Sequence, residues 1–118
     1  MEGNEINYDE KICKNNYDLV VTIIKKGESE KILKASKNAG AEGGTVIYGR
    51  GWGIHEESTI FGIPIEPEKE IVLTIVDENI TNKVMNSIIK AGKLNEPGTG
   101  IIFVLSLKAV AGICHLIK

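Results

Sequence analysis

The residues able to do bond chemistry are few and scattered. His55-Glu56-Glu57 lies in a stretch punctuated by glycine and proline, with Ser58-Thr59 immediately after it. An imidazole beside carboxylates can ligate a divalent cation, and an imidazole near a hydroxyl can act as its base. Neighbouring loop residues of this kind are more simply a solvated polar tip, and Ser58 and Thr59 have no base partner besides His55. Cys114-His115 would be a thiol–imidazole pair, but consecutive strand residues point to opposite faces, so the two cannot act on each other. Cys13 stands at the other end of the chain, and the two cysteines match no metal spacing. Reduced thiols are the expected state, with a disulfide between them as the less favoured alternative. No pair of carboxylates stands at a defined spacing. The expectation is a protein that is not an enzyme, with no catalytic residues and no metal site.

Two glycine-rich segments suit binding better. Gly49-Arg50-Gly51-Trp52-Gly53 opens a long connection over residues 49–70 that carries the only tryptophan and the only arginine. Connections beyond roughly 12–15 residues without obvious structure tend to be functional, and glycines allow a ligand close to the backbone. The second segment, Gly92-Lys93-Leu94-Asn95-Glu96-Pro97-Gly98-Thr99-Gly100, runs from a helix end into an apolar strand. Successive N–H groups in such a turn can form an anion nest. It lacks the lysine-serine/threonine end of a P-loop and does not open a helix, so that motif is rejected.

Charge narrows the partners. The 118 residues carry 14 basic and 16 acidic side chains, net −2, and Arg50 is the only arginine. A nucleic-acid-binding domain would need a basic stripe, and a phosphate site built of several arginine forks is impossible. No apolar run approaches the ~18 residues of a membrane span, and residues 1–16 are polar and of mixed charge, unlike a secretory signal. A cytoplasmic domain without membrane insertion or nucleic-acid partners is expected.

The elements that must position these segments follow from periodicity. Leu19 to Ile24, Ile71 to Val76 and Ile101 to Leu107 are short, β-branched and almost continuously apolar, as strands covered on both faces are. Thr45 to Tyr48 reads as a fourth strand and Ala109 to Ile117 as a weaker fifth. One helix is expected from Ser29 as N-cap through Ile32, Leu33, Ala35 and Ala39 to Gly40. A second follows a cap at Asp77 or Asn79, with Ile80, Val84 and Ile88 on one face and Gly92 at its end.

The two strand–helix units superpose at an offset of 52: Val20 on Val72, Thr22 on Thr74, Ile23 on Ile75, Gly40 on Gly92. Two βαβ units in one chain make a ferredoxin-like βαββαβ fold of the α+β class, with residues 1–16 as an N-terminal extension and 17–118 as the domain. Both helices must then cover one face of the sheet. Yet Leu19, Val21 and Ile23 are as apolar as Val20 and Ile24, so the second face needs cover too. A closed homo-oligomer is expected.

The order VVTIIKK, helix, GGTVIYGRGWG, long loop, strand–helix, AGKLNEPGTGIIFVL resembles the nitrogen regulatory protein P-II (PII) family, its divergent PII-like members most closely, over residues 17–118. The resemblance implies a homotrimer that senses a small-molecule effector. It implies adenine nucleotides bound in clefts between subunits, 2-oxoglutarate with magnesium in many members, and a T-loop, here 49–70, that docks on a target protein in nitrogen regulation. Position by position, Gly43, Gly44 and Thr45 would line the cleft from one side, and Gly51, Trp52 and Gly53 match the family's Gly-Phe-Gly. Lys93 to Gly100 matches the B-loop, which places Lys93, Gly98, Thr99 and Gly100 on the ligand. Several family positions differ. Ile101 stands where the B-loop lysine would be, Gly112 and Cys114 lie near the places of paired arginines, and Ile54 and His55 follow Gly53 in place of arginine and the magnesium-holding glutamine. The loop has no tyrosine to serve as a uridylylation acceptor. The cofactor therefore stays unknown, an adenine nucleotide being the class the resemblance implies. The alternative reading is a CutA-like metal-responsive trimer using His55 and nearby carboxylates.

Overall fold

The computed structural model describes residues 12–13, 15–52, 59–64 and 67–113. Apolar alternation over YDLVVTIIK makes β1 (Tyr17–Lys25), and α1 (Ser29–Asn38) follows a turn at Gly27. Strand β2 (Thr45–Arg50) leads into the long connection, which contains a short hairpin of β3 (Thr59–Ile60) and β4 (Ile63–Pro64). Strand β5 (Glu68–Asp77), a 3-10 turn at Glu78–Ile80, α2 (Thr81–Gly92) and β6 (Gly100–Leu107) complete the fold.

The main sheet has the order β2-β5-β1-β6 with every neighbouring pair antiparallel. This is the expected ferredoxin-like α+β arrangement. The internal repeat also appears in the register. Val21 lies directly opposite Leu73, its equivalent at the offset of 52, while Val20 pairs with Thr74 and Thr22 with Val72. The helices meet at equivalent positions too, where the Ser87 hydroxyl donates to the Ala35 carbonyl at 2.9 Å.

One face of the sheet is closed by both helices. Val20, Ile24, Val72 and Val76 bury against Ile32 and Ala39 of the first helical unit and Val84 and Ile88 of the second, all 5 % exposed or less. The other face carries rows of apolar side chains in register: Ile47–Ile71–Ile23–Ile101, then Leu73–Val21–Phe103, then Ile75–Leu19–Leu105. Ile101 (54 %), Leu105 (51 %), Ile47 (44 %), Ile75 (40 %) and Phe103 (39 %) stay open in the single chain.

Three local expectations change, and one, the end of α2 at Gly92, is met and refined. Ser29 is the first residue of α1, not its cap: Glu28 occupies the cap position without a side-chain bond. Glu70 of β5 reaches across instead and accepts the Ser29 N–H at 2.8 Å. Gly92 is the last helical residue and lies against Ile32, while the turn out of α2 is made by Lys93 in the left-handed region at φ 53°. Ala109 to Ile117 forms no described strand; Ala111 makes one isolated bridge with Ile12, and residues 114–118 lie outside the described residues. Finally, Cys13 is disulfide-bonded, against the expectation of reduced thiols. No helix among the described residues is long and apolar enough to cross a membrane.

Candidate functional site

The register of three strands builds a floor. Ile23 of β1 is flanked by Ile71 of β5 and Ile101 of β6. Beside them, β2 ends as Gly49 and Arg50 pair with Lys69 and Glu68. The Gly51 N–H then donates to the Pro67 carbonyl at 3.1 Å, which ties the two ends of the long connection together at its base. Trp52 follows immediately.

The facing wall is the turn between α2 and β6. With Lys93 left-handed, the Leu94 N–H reaches back to the Ile89 carbonyl at 2.9 Å, closing the helix. The Thr99 hydroxyl donates within 2.9 Å of both the Lys93 and the Glu96 carbonyl oxygens and so ties the turn to itself. Gly100 must be glycine. A Cβ there would lie 2.6 Å from the Ile23 carbonyl oxygen, at a φ of 153°.

Floor, loop base and turn enclose a cleft of about 800 Å3, within the range of sites for small molecules. Its described lining holds two cations, Arg50 and Lys69, and one carboxylate, Glu96, beside the indole of Trp52. Glu68 flanks this rim and is bound to the Lys26 ammonium at 2.8 Å. That hydrogen bond and charge, with a smaller contribution from Arg50, hold the Glu68 carboxyl below its ordinary range and raise Lys26 above its own. The described lining has no histidine, cysteine, serine or threonine, so it offers no nucleophile–base pair. An apolar floor, an indole and two cations suit a flat-ringed anion of low charge. They provide little to neutralise a triphosphate.

Of the expected site residues, the structure brings Gly51, Trp52, Gly98 and Gly100 together around this cleft. Lys93 and Thr99 shape the turn but do not line the cleft. Gly43, Gly44 and Thr45 lie away from it on the sheet's β2 edge, Thr45 opposite Leu73. A Cβ on Gly44 would come 2.7 Å from Leu33 and 3.3 Å from the Leu73 carbonyl oxygen, so close packing of α1 accounts for glycine there. Gly53, Ile54 and His55 fall outside the described residues. Outside the two glycine-rich segments singled out from sequence, the cleft lining adds Ile23, Lys69, Ile71 and Ile101. Their signal was the pairing register, which shows only once β1 is known to sit between β5 and β6.

The fold is a small α+β unit whose cleft shares a wall, Gly49 to Trp52, with the start of the 49–70 connection. The chain belongs to the nitrogen regulatory protein P-II family, whose model matches residues 17–114. It is thus a PII-family signalling protein, of a family that is regulatory and not enzymatic. Among solved structures it is similar to Arabidopsis thaliana PII bound to citrate, with TM-score 0.65 and 24 % identity over 84 % of each chain. That likeness supports the fold. Among curated proteins, none matches the chain.

Proposed function

We propose that this chain senses a small ligand, an adenine nucleotide of low phosphate charge, in the cleft, and passes the binding on through loop 49–70 to a target protein in nitrogen regulation. One observation carries the reading: Gly49 to Trp52 form both a wall of the cleft and the start of that loop. A ligand touching this wall favours one loop position over another in proportion to its differential affinity. Gly43, Gly44, Thr45, Gly53, Lys93 and Thr99 act with the lining residues if a neighbouring copy completes the cleft. The open apolar face supports a homotrimer, since a second copy is the partner always present at the right stoichiometry. A cytoplasmic location accords with this role.

The metal-responsive alternative draws no support from the family match or the solved relative, and His55 lies outside the described residues. Calorimetry with ATP, ADP, AMP, cyclic AMP and citrate, read in parallel by Trp52 fluorescence, tests the proposal. An adenine nucleotide should bind and perturb Trp52, and Trp52→Ala or Arg50→Ala should weaken it about tenfold, the worth of one good contact. Silence across the panel removes the nucleotide reading and leaves the fold standing.

A further inference from the structure

At the cleft end of the sheet the register lines up three charges. Glu68 is the first residue of β5, the strand that lies between β2 and β1. On its β2 side it stands directly opposite Arg50. On its β1 side, where Lys25 pairs with Lys69, the next residue out is Lys26. Directly opposed residues of antiparallel strands share a face and interact. One carboxylate therefore has a cation on either side.

It engages one of them. The Lys26 ammonium lies 2.8 Å from the Glu68 carboxylate, whereas Arg50 belongs to no ion pair among the described residues. The hydrogen bond and charge of Lys26 outweigh the charge of Arg50 in holding the Glu68 carboxyl below its ordinary range. This division runs against intrinsic preference. A guanidinium meets a carboxylate with two parallel N–H donors, and an ammonium meets it as a point charge. Of the three residues, Arg50 alone lines the cleft.

We propose that Lys26 is a positioning residue for the cleft: it occupies Glu68 and so leaves the Arg50 guanidinium for an anionic group bound there. Without Lys26, the carboxylate opposite Arg50 and the anion compete for one guanidinium, and the ligand enters only by breaking an ion pair. The side chains of Lys26 and Glu68 are 69 % and 48 % exposed, so the exchange of partners needs no rearrangement of the core. Exposure also keeps the effect to a few-fold. That the anion is the phosphate of a nucleotide rests on the function proposed above; the division of Glu68 between the two cations does not.

The composition supplies a clean reporter. Arg50 is the only arginine, so the single arginine Nε–H correlation in a nitrogen-15 NMR spectrum is its own. The test uses the full chain at pH 6 as wild type, Lys26→Met, Glu68→Gln and the double variant. Without ligand, Lys26→Met should shift that correlation and slow its exchange with water about threefold, as an exposed ion pair would. Glu68→Gln and the double variant should both resemble wild type. Calorimetry with AMP on the same four proteins should show binding weakened about threefold in Lys26→Met, with no loss when Glu68→Gln is already present. An unmoved Arg50 correlation in Lys26→Met overturns the proposal. So do effects of the two substitutions that simply add, the mark of a general field of charge, or AMP bound equally well by wild type and Lys26→Met. If the Arg50 correlation moves as expected and AMP fails to bind wild type, the positioning of Arg50 stands and the nucleotide reading falls.

Discussion

Glu70 offers the sharpest test of how the fold is held. Its carboxylate, on a residue only 6 % exposed, closes the amino end of α1 from a strand 41 positions along the chain. The Gly27 amide, then the Ser29 hydroxyl and amide, hold its carboxyl below the ordinary range. A hydrogen bond to a charged acceptor contributes about 1.5–3 kcal/mol, and a negative charge at a helix amino terminus about 0.3–1 kcal/mol. Glu70→Gln keeps an acceptor and loses the charge, so it should cost about 1–2 kcal/mol. Glu70→Ala strands the amides as well and should cost about 2–4 kcal/mol. Because the folded pKa is depressed, this stabilisation is fully present above the unfolded carboxylate value, about 4.3, and is lost as pH falls through the folded value. Urea titrations followed by circular dichroism from pH 7 to pH 3.5 should therefore show wild type and Glu70→Gln separated at neutral pH and converging in acid. A constant gap across that range, or no gap at pH 7, would refute the charged-cap argument.

Two further outcomes follow from the two faces of the sheet. The hydroxyls of Thr22 and Thr74 are fully buried among the helices and have no partner. Thr22→Val or Thr74→Val removes that desolvated group at nearly constant volume and should stabilise by about 1 kcal/mol; a drop in the urea midpoint would reveal an unseen partner. Phe103→Asp places a charge in the middle of the open face and should break assembly in sedimentation velocity; an unchanged oligomer would show that this face is not the contact.

The sheet and both helices were legible because apolar periodicity reports local structure, and the offset of 52 marked two equivalent strand–helix units, hence the ferredoxin-like class. What escaped was long-range. Ser29 looks like an N-cap because serine caps locally, and nothing nearby in sequence announces a carboxylate arriving from Glu70. Strand β5 starts at Glu68, earlier than its apolar run, because Glu68 to Glu70 are held by pairing with β2 and β1. The hairpin turn at Phe61-Gly62 has Phe61 at φ 52°, a conformation for which phenylalanine is no signal. At the cleft, the glycines marked both walls, but the floor of Ile23, Ile71 and Ile101 depends on a register that no single segment contains.

That floor has a thermodynamic consequence. Ile23, Ile71 and Ile101 line the cleft and also form the first row of the open apolar face. Any copy packed on that face and any ligand in the cleft draw on the same three side chains, so the two events are linked. By reciprocity, whatever factor assembly applies to ligand affinity, the ligand applies to the assembly constant. Occupancy then becomes a function of protein concentration as well as of ligand concentration, and a dissociation constant holds only for the dilution at which it was measured.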